Sequence, residues 1–202
     1  MIQNPRRFQA ALDRFDAANA EDPNRELDQG AEHPKELLYG RRMSAMLARL
    51  APQAPESVQL AVRAQHIQRW KTPRADYPMD RQGYLQWRTG LYRFHAEAAA
   101  GILEAVGYDG ATIARVRAAV SKQDLKGNPE AQLLEDVSGL VFLEHYLAGF
   151  VDAHPEWDET KWIEIIRKTW KKLSPEARTF VLAGKIRLPE ELNPLIWKAM
   201  GE

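Results

Sequence analysis

Cysteine is absent from the chain, and with it go disulfide bonds, thiolate zinc sites and thiol catalysis. Neither sign of charge is in excess: Lys plus Arg and Asp plus Glu each number 28, for a formal net charge of zero. That balance argues against a general DNA-binding surface, whose affinity rests on surplus positive charge, and leaves room only for a local basic pocket. No stretch approaches the roughly 18 consecutive apolar residues of a membrane span. The opening Met-Ile-Gln-Asn-Pro-Arg-Arg-Phe lacks the apolar run of a secretory leader, so a cytoplasmic protein is expected. Gly-x-Gly-x-x-Gly, the Walker loop and Gly-x-Ser-x-Gly are all missing, which disfavours doubly wound nucleotide folds and serine hydrolases. Glu-x-x-His is missing too, which weakens a ferritin-like reading. No segment shows strand alternation bounded by turns.

What the chain has is helical periodicity. Residues 5–19 carry Phe8, Ala11, Leu12 and Phe15 at helical spacing. The polar segment 20–33 reads as loop. Further helices are expected from Pro34 to about Leu50, Glu56 to Trp70, 81–106 and 110–121. Others follow at Asn128–Phe150, 157–172, 175–183 and 189–199. Composition does not shift along the chain. Residues 1–202 are therefore read as one all-α domain, a compact multi-helix bundle, with 157–202 as a candidate C-terminal helical subdomain.

Three ionisable residues sit among apolar neighbours at helical spacing. His95 shares a face with Leu91, Ala98, Ala99, Ile102 and Val106; Asp136 with Leu133, Leu140, Leu143 and Leu147; Glu36 with Gly40, Met43, Leu47 and Leu50. Buried ionisable groups are costly unless paired, hydrogen-bonded or metal-bound, so these three suggest one polar centre. On the helix expected over 56–70, Gln59, Arg63, His66 and Trp70 fall on one face, a set able to hold an anion or a flat ring. Imidazole plus carboxylate without thiolate suits a divalent zinc, manganese, iron or nickel ion, with Glu36, His66, His95 and Asp136 as candidate ligands. Glu135, about 100° around the helix from Asp136, is a candidate general base. Arg69, Trp70, Arg74, Tyr77, Arg88 and Lys122 are candidates to hold a phosphate or stack on a ring, and Lys126 adds charge nearby. The bland alternative is that these arginines and aromatics are surface structure, and that a single His on an apolar face is a satisfied core histidine.

Two resemblances follow from these residues. Lys35-Glu36-Leu37-Leu38-Tyr39-Gly40, Gln65-His66-Ile67-Gln68-Arg69-Trp70, Phe94-His95-Ala96 and Gln132-Leu133-Leu134-Glu135-Asp136 resemble a bacterial and fungal domain-of-unknown-function family, number four-two-zero-two, over about residues 5–185. The same chain more weakly resembles HD-domain phosphohydrolases in Ala61-Val62-Arg63-Ala64-Gln65-His66 and Asp136. Ile67 stands where the paired Asp of that motif belongs, and Tyr39 about where its first His belongs, with Glu36 one turn earlier. The resemblance implies an HD-like metal-dependent phosphohydrolase acting on a nucleotide or another small phosphate ester. Two other readings stay open. One is a metal-free binding module for an anionic small molecule or partner peptide. The other is an RNA-associated protein. Neither DNA nor a membrane is expected as partner.

Overall fold

A computed structural model describes residues 2–125 and 127–201. It is an all-α fold with one two-stranded sheet, and its chain divides into two compact units, residues up to 134 and from 135 onward. Lys126 lies outside the described residues.

The first unit opens with α1 (Pro5–Ala20), where the Asn4 side chain accepts from the Arg7 N–H and proline occupies the first turn. The segment 20–33, expected as loop, instead contains an antiparallel hairpin, β1 (Arg25–Asp28) with β2 (Ala31–Pro34), registered Glu26 opposite His33 and Leu27 opposite Glu32. Gln29 and Gly30 at its turn both have positive φ, 49° and 82°, as a tight two-residue hairpin requires. Its strands are polar and short, so neither carried an apolar alternation. Arg42 holds β1 from α2 (Lys35–Leu50): one guanidinium nitrogen bonds Glu26 and the other donates to Asp28 at 2.8 Å. Residues two apart point to the same face of a strand, which is why one arginine reaches both.

Helix α3 is shorter than its sequence pattern suggests. It spans Glu56–Ala64, followed by turns and a short 3₁₀ turn at Arg69–Lys71. Gln68 there adopts the left-handed region (φ 52°), which ends helical continuation. The expected common face of Gln59, Arg63, His66 and Trp70 therefore does not form; Arg63 turns to Asp16 and Ser44, while His66 leaves the helix. Gly40 allows the close approach of α2 to α3, since a Cβ there would sit 3.0 Å from the Arg63 carbonyl oxygen. α4 (Arg81–Ala105) and α5 (Gly110–Val120) complete the unit, capped by Asp80 and Asp109. Its core includes Phe15, Met43, Met46, Leu60, Ile67 and Leu103.

α6 (Pro129–Val141) crosses the division at residue 135. The helix expected over 128–150 is interrupted by a π-helical turn at Phe142–Tyr146 before α7 (Leu147–Asp152). α8 (Glu159–Lys172), α9 (Pro175–Leu182) and α10 (Asn193–Met200) follow, with α8 against α10. Trp162, Ile166, Phe180 and Ile196 are buried in this second unit. No helix among the described residues is long and apolar enough to cross a membrane.

Candidate functional site

Three elements of the first unit bring a polar centre together. Glu36 comes from the first turn of α2, His66 and Arg69 from the turns after α3, and His95 from the middle of α4. Glu36 and His95 are buried, as their apolar neighbours predicted, at 7% and 2% exposure. The His66 Nδ1 faces a Glu36 carboxylate oxygen at 3.3 Å, and its ring lies 5.8 Å from that of His95. Tyr39, one turn beyond Glu36, stacks on His66 with centroids 4.1 Å apart and planes 11° from parallel.

Hydrogen bonds fix both imidazole tautomers. Arg69 can only donate, so its contact with His66 Nε2 at 3.0 Å makes that nitrogen a lone pair and leaves the proton on Nδ1, toward Glu36. The Ile67 carbonyl can only accept, so His95 donates from Nδ1 at 2.8 Å and turns a bare Nε2 inward. That Nε2 is buried without a hydrogen-bond partner.

The charge states follow from the surroundings. Burial pushes His66 well below the ordinary imidazole range, and the nearby cations Arg69, Lys122 and Lys35 push the same way. Burial likewise lowers His95 to about 3, reinforced by His66. Glu36 moves the other way: burial raises its carboxyl from 4.5 to about 7, partly opposed by Arg69. Two uncharged imidazoles and a carboxyl that titrates near neutrality are thus set beside three cations.

The end of α1 supplies the scaffold. Asp22, almost fully buried, accepts from the Glu36 N–H at 3.0 Å and from Asn24. Asn19, also buried, donates to the Glu36 carbonyl and accepts from the Gln68 N–H at 2.9 Å. Two short polar side chains therefore tie the acid and the strained turn carrying His66 to one another. Sequence reasoning passed over both, because they lie in a stretch read as helix end and loop; Asn and Asp three apart at a helix terminus was the available signal.

The remaining candidate residues have varied settings. Arg69 also lies over the Trp87 ring at 5.0 Å, and Lys122 over Tyr92 at 5.4 Å. Lys122 takes left-handed backbone (φ 55°), a strained geometry for a side-chain-bearing residue. Arg88 donates to Tyr92 and Tyr84. Arg74 donates to the carbonyls of Tyr77 and Asp80 in its own loop. Trp70 lies partly buried in the 3₁₀ turn, and Tyr77 is half-buried near Gly90. Glu135 and Asp136 belong to the second unit and have partners of their own there. Lys172 pairs with Glu135 at 3.5 Å, and the Ser174 N–H donates to Asp136 at 2.7 Å. Both are buried, including Glu135.

As arranged, the donor set does not fit a metal ion. Among the described residues no three His, Asp or Glu side chains form a group that could hold one. His66 Nε2 is taken by a guanidinium, and His95 Nε2 is buried without a hydrogen-bond partner.

A family described as "Domain of unknown function (DUF4202)" matches residues 9–196, and the chain belongs to that family. None of the curated proteins and none of the solved structures compared matches it.

Proposed function

We propose that this domain binds a small anion carrying a phosphate group, without a metal, at the centre formed by Glu36, His66, Arg69 and His95. The observation that carries this reading is the contact of Arg69 with His66: a guanidinium that can only donate meets Nε2 at 3.0 Å and so sits beside an uncharged imidazole. Burial first, and then Arg69, Lys122 and Lys35, push the His66 pKa down in the same sense. Cations placed beside groups that stay uncharged leave a net positive field in a partly desolvated site, where an anion gains more than it would in water. The planar fork of Arg69 suits a phosphate oxygen pair, and Lys122 adds a point charge. A neutral Glu36 carboxyl can donate a hydrogen bond to a phosphate oxygen rather than repel it.

Titration of the protein with inorganic phosphate, read by calorimetry and thermal shift, tests this. Binding that weakens at least tenfold in Arg69→Gln and is unchanged by chelator is expected. No binding in the native protein, or binding that Arg69→Gln leaves intact, overturns the reading.

One observation favours a second reading, hydrolysis of a small phosphate ester. A carboxyl titrating near 7 is matched to proton transfer at neutral pH, and Glu36 is such a group. Release of phosphate from a chromogenic phosphate monoester, lost in Glu36→Gln, supports this second reading. Near-stoichiometric metal in the purified protein, lost in His95→Ala, would replace the metal-free reading by a metal-dependent phosphohydrolase.

A further inference from the structure

Residues Tyr84, Arg88, Tyr92 and His95 are spaced four, four and three along α4, so they share one face of it. The eleven residue steps from Tyr84 to His95 cover about 16 Å of helix. Along this face aromatic rings and cations alternate and hold one another. Arg88 donates to the hydroxyls of both Tyr84 and Tyr92, at 3.2 and 2.5 Å. Lys122 lies over Tyr92, and Arg69 over Trp87, whose ring is 6.0 Å from that of Tyr84. The outer end is open: Tyr84 is 41% exposed, whereas His95 at the inner end is buried.

A phosphate alone would use only the inner end. The face is longer than that and changes character along its length, from cations beside neutral imidazoles to an exposed aromatic ring. A ligand with an anionic head and a flat tail is complementary to the whole. Resting on the anion-binding reading above, we infer that the ligand is a nucleoside phosphate, its phosphate at Arg69 and Lys122 and its base against Tyr84. Rings that can stack on any base, interleaved with cations that follow phosphate, are the means by which proteins hold nucleotide units without reading sequence. Arg88 stands between the two ends, near a sugar or a second phosphate.

The test compares inorganic phosphate, ribose 5-phosphate and adenosine 5′-monophosphate as ligands of the full chain, in the native protein, Tyr84→Ala and Tyr84→Phe. Tyr84 is exposed, and circular dichroism checks that both variants stay folded. Stacking predicts that the nucleotide binds at least about fivefold more tightly than the sugar phosphate. That gain of nucleotide over sugar phosphate should vanish in Tyr84→Ala and persist in Tyr84→Phe. Equal affinity for nucleotide and sugar phosphate, or a gain that survives Tyr84→Ala, overturns the inference and leaves anion binding standing. Failure of all three ligands to bind overturns the anion-binding reading and this inference with it.

Discussion

Replacing Glu36 with Gln should steepen the dependence of stability on pH. The Glu36 carboxyl is raised from 4.5 to about 7, by burial first. Between those values the folded state keeps a proton that the unfolded state has lost, so its contribution to stability falls as pH rises, by about 1.4 kcal/mol per unit. The imidazoles act in the opposite sense. His95 is lowered from 6.5 to about 3 and His66 well below 6.5, so unfolding takes up a proton at each. Their contribution is complete above 6.5 and is lost as pH falls. Below 6.5 and above 4.5 the native centre therefore takes up protons at the imidazoles on unfolding and releases one from Glu36, so the two effects oppose each other. In Glu36→Gln the release disappears and the rise of stability with pH steepens by the one proton that Glu36 no longer gives up. Urea unfolding at closely spaced pH values in that window reads the difference, because all other titrating groups are shared. A variant slope equal to or shallower than the native one would refute the assignment of a raised Glu36 beside two neutral imidazoles.

Three further outcomes follow from the geometry. Asn19→Ala leaves the Gln68 N–H without its acceptor and should cost about 1–3 kcal/mol in chemical unfolding, with weaker phosphate binding as the His66 turn loosens. Lys122→Gly relieves left-handed strain, so stability should hold or rise by about 1 kcal/mol while calorimetry shows weaker phosphate binding; a parallel loss of both would mean that Lys122 only packs. Gly83→Ala would set a Cβ 2.1 Å from the Pro78 carbonyl oxygen, and should lower the melting temperature by an amount equivalent to about 1–3 kcal/mol.

The parts of this molecule that follow from helical periodicity were legible in the sequence. α1, α2, α4 and α5 lie within a residue or two of their expected limits, because their apolar stripes are long and their ends carry caps or prolines. The burial of Glu36, His95 and Asp136 was legible for the same reason: each interrupts an apolar face. The end of α3 was not, because Gln65-His66-Ile67-Gln68 continues a helical pattern, whereas Gln68 is left-handed and its N–H donates to Asn19, a partner distant in sequence. The meeting of Glu36, His66 and His95 is a long-range fact that spacing within one helix does not encode. The charge of Arg74 marks it as a candidate to hold a phosphate, and residue type does not reveal that its guanidinium also donates to the carbonyls of its own loop. The hairpin escaped notice because its strands are polar on both faces.

That hairpin has a bearing on salt. An isolated pair of four-residue strands is marginal in water, and this one carries little apolar surface to secure it; Leu27 is mostly exposed. Its anchorage is electrostatic, through Arg42 with Glu26 and Asp28. Such pairs weaken as the Debye length shrinks from about 10 Å at 0.1 M to about 3 Å at 1 M. The chain leaves the hairpin directly into Lys35 and Glu36. Ionic strength would thus reach the proposed anion site by two routes, by screening the anion and by fraying the segment from which Glu36 hangs. Amide exchange in residues 25–34, followed against salt with no ligand present, separates the second from the first.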